Sequence, residues 1–198
     1  MSDPLVSVTG LGLERGGRVL VENFDLQIRA GELLLVEGAN GAGKTTLLRS
    51  LAGLSRLGQS GEIRLHTDSL LFLGHRPGIK QLLTARENLE WYCRAQGLAV
   101  DGIESALDQV GLYGYEDVLC HSMSAGQQRR VNLARLYLSD AKLCLLDEPF
   151  TAIDREGVKK LTLLLAERVR AGAAVVLTSH QDLPLDVPLR RITLGATQ

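Results

Sequence analysis

Residues 38–45 have the types and the spacing needed to hold a polyphosphate. They match the pattern G-x-x-x-x-G-K-[ST] at every fixed position. Glycines let such a loop curl until its backbone N–H groups face one anion, and the start of a following helix adds partial positive charge. The residues predicted to bind nucleotide are, in order, Gly38, Ala39, Asn40, Gly41, Ala42, Gly43, Lys44, Thr45 and Thr46. We expect Lys44 to reach the β- and γ-phosphates and the Thr45 hydroxyl to bind Mg²⁺.

Two adjacent carboxylates form the next candidate. Asp147 and Glu148 directly follow the apolar residues 143–146, which have the pattern of a strand buried on both faces. A carboxylate that leaves a core strand beside a phosphate loop can hold the magnesium shell, and we assign this role to Asp147. The carboxylate of Glu148 is placed to polarise a water for in-line attack on the γ-phosphate. Together with the loop, the pair predicts hydrolysis of a nucleoside triphosphate.

A second anion receptor is predicted at Ser124. Ser124 and Gln127 have the spacing of a capping box, in which each side chain bonds the backbone N–H of the other. Such a helix start presents a hydroxyl and backbone N–H groups at the positive end of the helix dipole. Taken alone, the same pattern also fits a well-capped helix with no ligand.

The elements that must position these residues alternate between strand and helix. Residues 33–36 and 174–177 repeat the buried-strand pattern, residues 44–54 are expected to form a helix, and Asp154 is expected to cap another. The apolar stripe predicted for that last helix consists of Val158, Leu161, Leu164, Leu165 and Val169. This alternation predicts an α/β fold around a parallel sheet.

Two regions depart from that pattern. Residues 5–30 predict short strands with a turn at Gly16-Gly17. Residues 77–122 predict a helical subdomain, with helix starts at Thr84 and Asp101. Its aromatic side chains suit either the core of that subdomain or a docking face for a partner. They are Trp91, Tyr92, Tyr113 and Tyr115.

Composition narrows the function classes. The chain has 198 residues and a net charge of −1, which gives no electrostatic reason to expect nucleic acid as a partner. Its three cysteines form no C-x-x-C pair, which argues against a disulfide framework or a zinc site. The N-terminus lacks the features of a signal peptide, and no apolar run is long enough to span a membrane. We expect a protein that is soluble by itself, held at a membrane only through a partner.

The order of the motifs resembles that of the ABC ATPases over nearly the whole chain. After the phosphate loop come S-A-G-Q-Q, L-L-D-E-P, T-A-I-D and a strand that ends in histidine. The resemblance implies a P-loop NTPase fold: a RecA-like parallel sheet core, an N-terminal antiparallel β subdomain and an inserted helical subdomain. It also implies one ATPase domain over residues 1–198, with core and β subdomain at about 1–76 and 123–198 and the insertion at about 77–122. The implied cofactors are ATP and Mg²⁺.

The resemblance also implies roles for further residues. The signature motif of the family falls on Met123, Ser124, Ala125, Gly126 and Gln127, and it would bind the γ-phosphate of ATP held by a second copy in a head-to-tail dimer. Asp154 would belong to the loop that crosses the dimer interface. His180 would orient the γ-phosphate and the attacking water, which makes Lys44, Glu148 and His180 the expected catalytic residues.

Two positions depart from the family pattern. The adenine-stacking aromatic falls on Arg15, whose guanidinium plane can still stack on a base. The glutamine that usually contacts the metal shell falls on His75, whose ring can bond a metal-bound water or the phosphate.

Residues 72–80 and 124–131 resemble most the ATP-binding subunit of the cytochrome c maturation haem exporter. That family implies a separate integral membrane subunit and a peripheral location at the cytoplasmic face of the bacterial inner membrane. It also implies an indirect link to haem and its chaperone, because no histidine here lies in a haem-ligating motif. Three alternatives stay open: an ABC ATPase of another small-molecule exporter, a soluble ABC ATPase of translation or DNA repair, and a nucleotide-binding scaffold without turnover.

Overall fold

The computed structural model describes residues 3–179 and 186–195. The chain divides into two compact units. The first comprises Met1–Gly74, Ala141–Pro149 and Leu165–Gln198, and the second comprises His75–Asp140 and Phe150–Leu164. The predicted boundaries of the inserted subdomain, 77–122, stay a prediction. In the described part of the chain, no helix is long and apolar enough to cross a membrane.

The elements follow in chain order. The strands are β1 Pro4–Arg15, β2 Arg18–Arg29, β3 Leu33–Glu37, β4 Gln59–Leu65, β5 Leu70–Leu73, β6 Leu143–Leu146, β7 Ala174–Thr178 and β8 Leu189–Thr193. The α-helices are α1 Lys44–Leu51, α2 Ala85–Gln96, α3 Ile103–Gln109, α4 Ala125–Leu138 and α5 Arg155–Arg170, with a 3₁₀ turn at Cys120–Ser122.

A five-stranded parallel sheet forms the centre of the first unit, in the order β5-β6-β7-β3-β8. Every residue of β6 and β7 is buried, which confirms that their continuous apolar sequences fill both faces of a central strand. Leu47, Leu48 and Leu51 of α1 are fully buried and belong to the same hydrophobic core. The carboxyl ends of β3, β6 and β7 therefore meet at one edge of the sheet, where the phosphate loop begins.

A second sheet of the first unit is antiparallel, in the order β2-β1-β4. The expectation of short strands in residues 5–30 was wrong, because β1 and β2 form one long hairpin of 12-residue strands closed at Gly16-Gly17. Irregular register along the pair, with several bulges, breaks the alternation that would have marked long strands in the sequence. Strand β4 was not predicted, since most of its residues are exposed and polar.

The helix ends agree with the sequence in part. The capping boxes predicted at Thr84 and Ser124 are both present. The start predicted at Asp101 was wrong: α3 begins at Ile103, its N-cap is Gly102, and no side chain caps it. The first helix ends at Leu51, before the predicted residue 54, because the chain turns at Gly53 with φ = 70°.

Helix α5 begins as its cap predicts. Oδ1 of Asp154 accepts a hydrogen bond of 2.8 Å from the backbone N–H of Gly157. Of its predicted apolar stripe, Leu161, Leu165 and Val169 are buried. The other two members, Val158 and Leu164, are half-buried.

Candidate active site

The phosphate loop joins β3 to α1, as the sequence predicts. Gly38 has φ = 142°, and a Cβ at this position would lie 2.6 Å from the carbonyl oxygen of Leu194. Gly43 has φ = 102° and precedes the first residue of α1. Both conformations favour glycine, so the fixed glycines of the motif are needed for the curl of this backbone.

Lys44 lies inside the curve of the loop. Its side chain is buried, with Nζ donating hydrogen bonds of 2.6 Å to the carbonyl oxygen of Gly38 and 3.2 Å to that of Ala39. The ammonium group is thus held at the place where the loop curls, with only carbonyl dipoles as acceptors. A phosphate bound in the loop offers full negative charge to the same group, which forms stronger hydrogen bonds.

Thr45 and Asp147 form the metal-binding candidate. The Thr45 hydroxyl, in the first turn of α1, donates to Oδ2 of Asp147 at 2.8 Å, so two candidate oxygen ligands, one from α1 and one following β6, lie side by side. Mg²⁺ is usually held by one or two protein oxygens, with phosphate and water completing the octahedron. One hydroxyl and one carboxylate oxygen are the kind of protein donors that such a site uses, so the pair fits Mg²⁺ bound together with a nucleotide.

Thr178 is a site residue that the sequence analysis missed. Its hydroxyl is fully buried and donates to Oδ1 of Asp147 at 2.9 Å, while it accepts from the backbone N–H of Glu148 at 2.8 Å. One threonine thus orients both members of the carboxylate pair. Its position directly after the apolar residues of β7 was the available signal, because the carboxyl ends of parallel strands share an edge.

Glu148 has an unusual backbone conformation. Its φ is 56°, in the left-handed region that residues with a side chain rarely adopt. Such strain persists only where the surroundings hold the residue in place, and the bond to Thr178 supplies part of that restraint. A strained carboxylate directly after Asp147 agrees with the predicted role of Glu148 as the base that orients water.

A cleft of about 500 Å³ opens beside the loop. One wall is the hairpin residues Arg18, Val19 and Leu20. The remaining lining residues are Gly38, Ala39, Asn40, Gly41 and Ala42 of the loop with Thr193, Leu194 and Gly195. Arg15 is not among them; it is the cross-strand partner of Arg18. The stacking role expected of Arg15 stays a prediction.

The signature residues lie in the second unit at the start of α4. Oγ of Ser124 accepts from the backbone N–H of Gln127 at 3.2 Å, and Oε1 of Gln127 accepts from that of Ser124 at 2.9 Å. Met123 is buried, as an apolar side chain directly before the helix start is expected to be. The cap leaves Ser124 exposed at the N-terminus of a 14-residue helix.

Two further expectations concern histidines. His75 is exposed, and its carbonyl oxygen accepts a hydrogen bond of 2.9 Å from Nη1 of Arg129, a backbone contact that does not bear on the metal role predicted for its ring. His180 lies outside the described residues. The roles of both stay predictions.

Known proteins resemble this chain in sequence and in structure. The sequence pattern of the family described as ABC transporter matches residues 21–151. The cytochrome c biogenesis ATP-binding export protein CcmA of Hahella chejuensis is 47% identical over 205 residues, which cover 98% of this chain and 97% of the relative. The protein of the same name from Photobacterium profundum is 47% identical and is covered over its full length.

Two solved structures share the fold. An ATP-binding subunit of an ABC transporter superposes with a TM-score of 0.80 at 22% identity, covering 89% of this chain and 79% of the other. A dimeric ATP-binding cassette in a post-hydrolysis state, bound to ADP and Pi, superposes with a TM-score of 0.79 at 23% identity, covering 89% and 88%. At these identities the superpositions show the fold, which agrees with the expected P-loop NTPase architecture.

Proposed function

Because the chain belongs to the ABC transporter family and matches its cytochrome c biogenesis ATP-binding export proteins over almost its whole length, we propose that it hydrolyses ATP to drive an export step of c-type cytochrome assembly. The match to the family and the similarity to these relatives identify the chain as an ATPase of the ABC type. The step it powers is the movement of haem, or the release of the haem-loaded chaperone. The observation that carries the proposal is the oxygen pair of Thr45 and Asp147 at 2.8 Å beside a complete phosphate loop.

In the proposed mechanism the loop binds the phosphates of ATP through its backbone N–H groups and Lys44. Thr45 and Asp147 hold Mg²⁺, which neutralises charge on the transferred phosphoryl group when bound. Glu148 orients the attacking water and accepts its proton, and His180 assists it, as the resemblance to the family implies. The base lies in the cleft next to residues 18–20.

Each ATP-binding site is completed by a second copy of the chain. Residues 123–127 of one copy contact the γ-phosphate bound to residues 38–46 of the other, with Asp154 near the junction. Ser124 supports this role because it is exposed at the N-terminus of α4, where a hydroxyl and a helix dipole favour an anion. The phosphate loop belongs to the other unit of the chain, so the second unit has no phosphate loop of its own to supply that anion.

The partner in the membrane is a separate integral subunit, and the chain works at the cytoplasmic face of the inner membrane as a peripheral protein. The exposed side chains of Leu82, Trp91 and Tyr113 in the second unit offer apolar surface for such a partner. Haem stays with the partners, since no haem-ligating motif occurs in this sequence.

The test is a deletion strain complemented with the wild-type chain, with Glu148→Gln, or with the surface control Arg94→Lys. We expect wild-type and control chains to restore holo-cytochrome c, measured by haem staining, and Glu148→Gln to fail at equal protein level. Copurification from detergent extract identifies the membrane partner. Restoration by Glu148→Gln, or capture of a transporter with another substrate while holo-cytochrome c is unaffected by deletion, contradicts the proposal.

A further inference from the structure

Side chains of α4 hold the loop that joins β5 to α2. The described residues between these elements, 74–84, form no regular helix or strand. Nη1 of Arg129 donates to the carbonyl oxygen of His75 at 2.9 Å, and Nη2 of Arg135 donates to that of Gly78 at 2.5 Å. The start of this loop is therefore fixed to the helix by two guanidinium groups rather than by its own backbone.

A pair of amides makes a third connection. The side chains of Gln81 and Gln128 exchange hydrogen bonds of 3.0 and 3.3 Å. Gln128 also donates to the carbonyl oxygens of Cys120 and Met123, at 2.8 and 3.1 Å. Met123 directly precedes Ser124, the cap of α4. The same side chain thus contacts the loop and the segment that leads into the signature residues.

Asn88 of α2 secures the other end of the loop. This buried side chain accepts from the backbone N–H of Lys80 at 2.7 Å and donates to the carbonyl oxygens of Lys80 and Thr84 at 3.0 and 2.9 Å. Between residues 75 and 84 the loop is therefore held by the side chains of Arg129, Arg135, Gln128 and Asn88. We refer to Gln128, Arg129 and Arg135 with their bonds to this loop as the clamp.

The buried guanidinium of Arg135 is not expected to stabilise the fold. The side chain is 9% exposed, and in the described part of the chain no carboxylate lies within ion-pair distance. Its other contact is the ring of Tyr92, with Cζ at 5.3 Å from the centroid, and its Nε is buried without a hydrogen-bond acceptor. Burial lowers the pKa of this guanidinium below its ordinary value. A buried charge without a countercharge usually destabilises a fold relative to an apolar side chain of similar volume.

Gly78, by contrast, does not need the bond. It is exposed, so its carbonyl oxygen can be hydrated if the arginine is removed. The bond therefore fixes the position of the loop at an energetic cost that the stability of the second unit does not explain. A role in positioning explains it better.

We propose that Arg135 is a positioning residue that, through the clamp, makes the loop of residues 75–84 and the signature residue Ser124 move as one body. The inference rests on the proposed function, in which Ser124 contacts the ATP of a second copy and His75 reaches the metal shell of its own copy. With the clamp intact, Ser124 reaches the γ-phosphate of the second copy's ATP at the same time as His75 reaches the metal shell of its own copy. Without the clamp, the two chains close on ATP while either Ser124 or His75 is displaced from its target.

The experiment replaces Arg135 by methionine, which keeps the volume and removes both the charge and the bond to Gly78. We expect the melting temperature to stay equal or to rise, the KM for ATP to stay within about twofold, and kcat to fall roughly tenfold to a hundredfold. In hydrogen–deuterium exchange, peptides from residues 75–84 and 120–128 should both lose protection. The matched control is Arg94→Met on α2, an exposed arginine paired with Glu90, which should change none of these values.

Gln81→Ala provides an independent variant, because Gln81 is exposed and its loss leaves the buried groups intact. Like Arg135→Met, it should lower kcat. Its effect should be smaller in the Arg135→Met background, because the effects of substitutions within one hydrogen-bond network are not additive. If Arg135→Met lowers the melting temperature by more than about 5 °C, the kcat and the hydrogen exchange of Gln81→Ala become the test of the proposal. Unchanged kcat and unchanged hydrogen exchange in the deciding variant overturn the clamp alone. Absence of ATP turnover by the wild-type chain in complex with its copurified membrane partner overturns the proposed function.

Discussion

The hydroxyl of Thr45 lies 2.8 Å from Oδ2 of Asp147, although the two residues are 102 positions apart in the chain. Thr45 stands on α1 after β3, and Asp147 follows β6, so the parallel sheet brings them to one edge. The fold itself therefore holds in place the two oxygens that we propose as ligands of Mg²⁺. This arrangement lowers the reorganisation needed when Mg²⁺ and ATP arrive together.

Removal of one member of this pair should separate metal binding from nucleotide binding. We expect Asp147→Asn to lower kcat for Mg·ATP by about 10–100-fold, because a neutral amide is a weaker ligand for Mg²⁺ than a carboxylate. Binding of ATP in excess EDTA, measured with a fluorescent analogue, should change little. Thr45→Ser retains the hydroxyl and is the matched control. Equal loss of metal-free binding in Asp147→Asn would show that this carboxylate acts on the fold of the loop rather than on the metal.

Glu148→Gln should trap the nucleotide-bound state. The amide keeps the size of the side chain but cannot accept a proton, so hydrolysis stops while the phosphate loop still binds ATP. We expect the variant to elute as a dimer in size-exclusion chromatography with Mg·ATP and as the smaller species without it. Turnover at the wild-type rate in the purified variant would remove Glu148 from the catalytic role.

The parts of this molecule that sequence predicted depend on local chemistry. The loop of residues 38–45, the buried strand of residues 143–146 and the capping boxes at Thr84 and Ser124 are each defined by neighbours within a few positions. Each therefore leaves a readable pattern in the chain.

The parts that escaped prediction depend on pairing between distant strands. Thr178 contacts Asp147 only because β6 and β7 are neighbours in register, with Leu146 opposite Leu177. Strand β4 forms on the edge of its sheet with little apolar sequence of its own. The roles of Ser124 and His180 depend on a second copy and on bound nucleotide, so a single chain leaves them as predictions.

Thr178→Val tests whether the buried hydroxyl orients the carboxylate pair. Valine preserves the shape, but the N–H of Glu148 and Oδ1 of Asp147 each lose a partner in a buried setting. We expect a loss of about 1–3 kcal/mol in the free energy of unfolding, measured by urea titration, together with a lower kcat. Thr178→Ser, which keeps the hydroxyl, should retain most of both. Full activity and stability in Thr178→Val would contradict an orienting role.

The wall of the cleft should control how firmly the base is held. Val19 lines the cleft and is 60% exposed, and the other hairpin residues there, Arg18 and Leu20, are not aromatic either. An aromatic ring at this position can stack on adenine, which is worth about 1–3 kcal/mol in other base-binding sites. We expect Val19→Tyr to lower the Kd for ATP by about 5–100-fold. Val19→Thr, which adds no ring, is the control.

The lining of the same cleft distinguishes between Arg15 and Arg18, the two arginines that flank the turn of the hairpin. Arg18 lines it, whereas Arg15 is only the cross-strand partner of Arg18. If the resemblance to the family places the base correctly, Arg15→Ala weakens ATP binding; if the lining of the cleft decides, Arg18→Ala weakens it more. We expect the larger loss for Arg18→Ala, because a side chain that already borders the cleft can stack on a base without moving the turn at Gly16-Gly17. Titration of both variants with a fluorescent ATP analogue measures the difference. A larger loss for Arg15→Ala would mean that the hairpin rearranges when nucleotide binds.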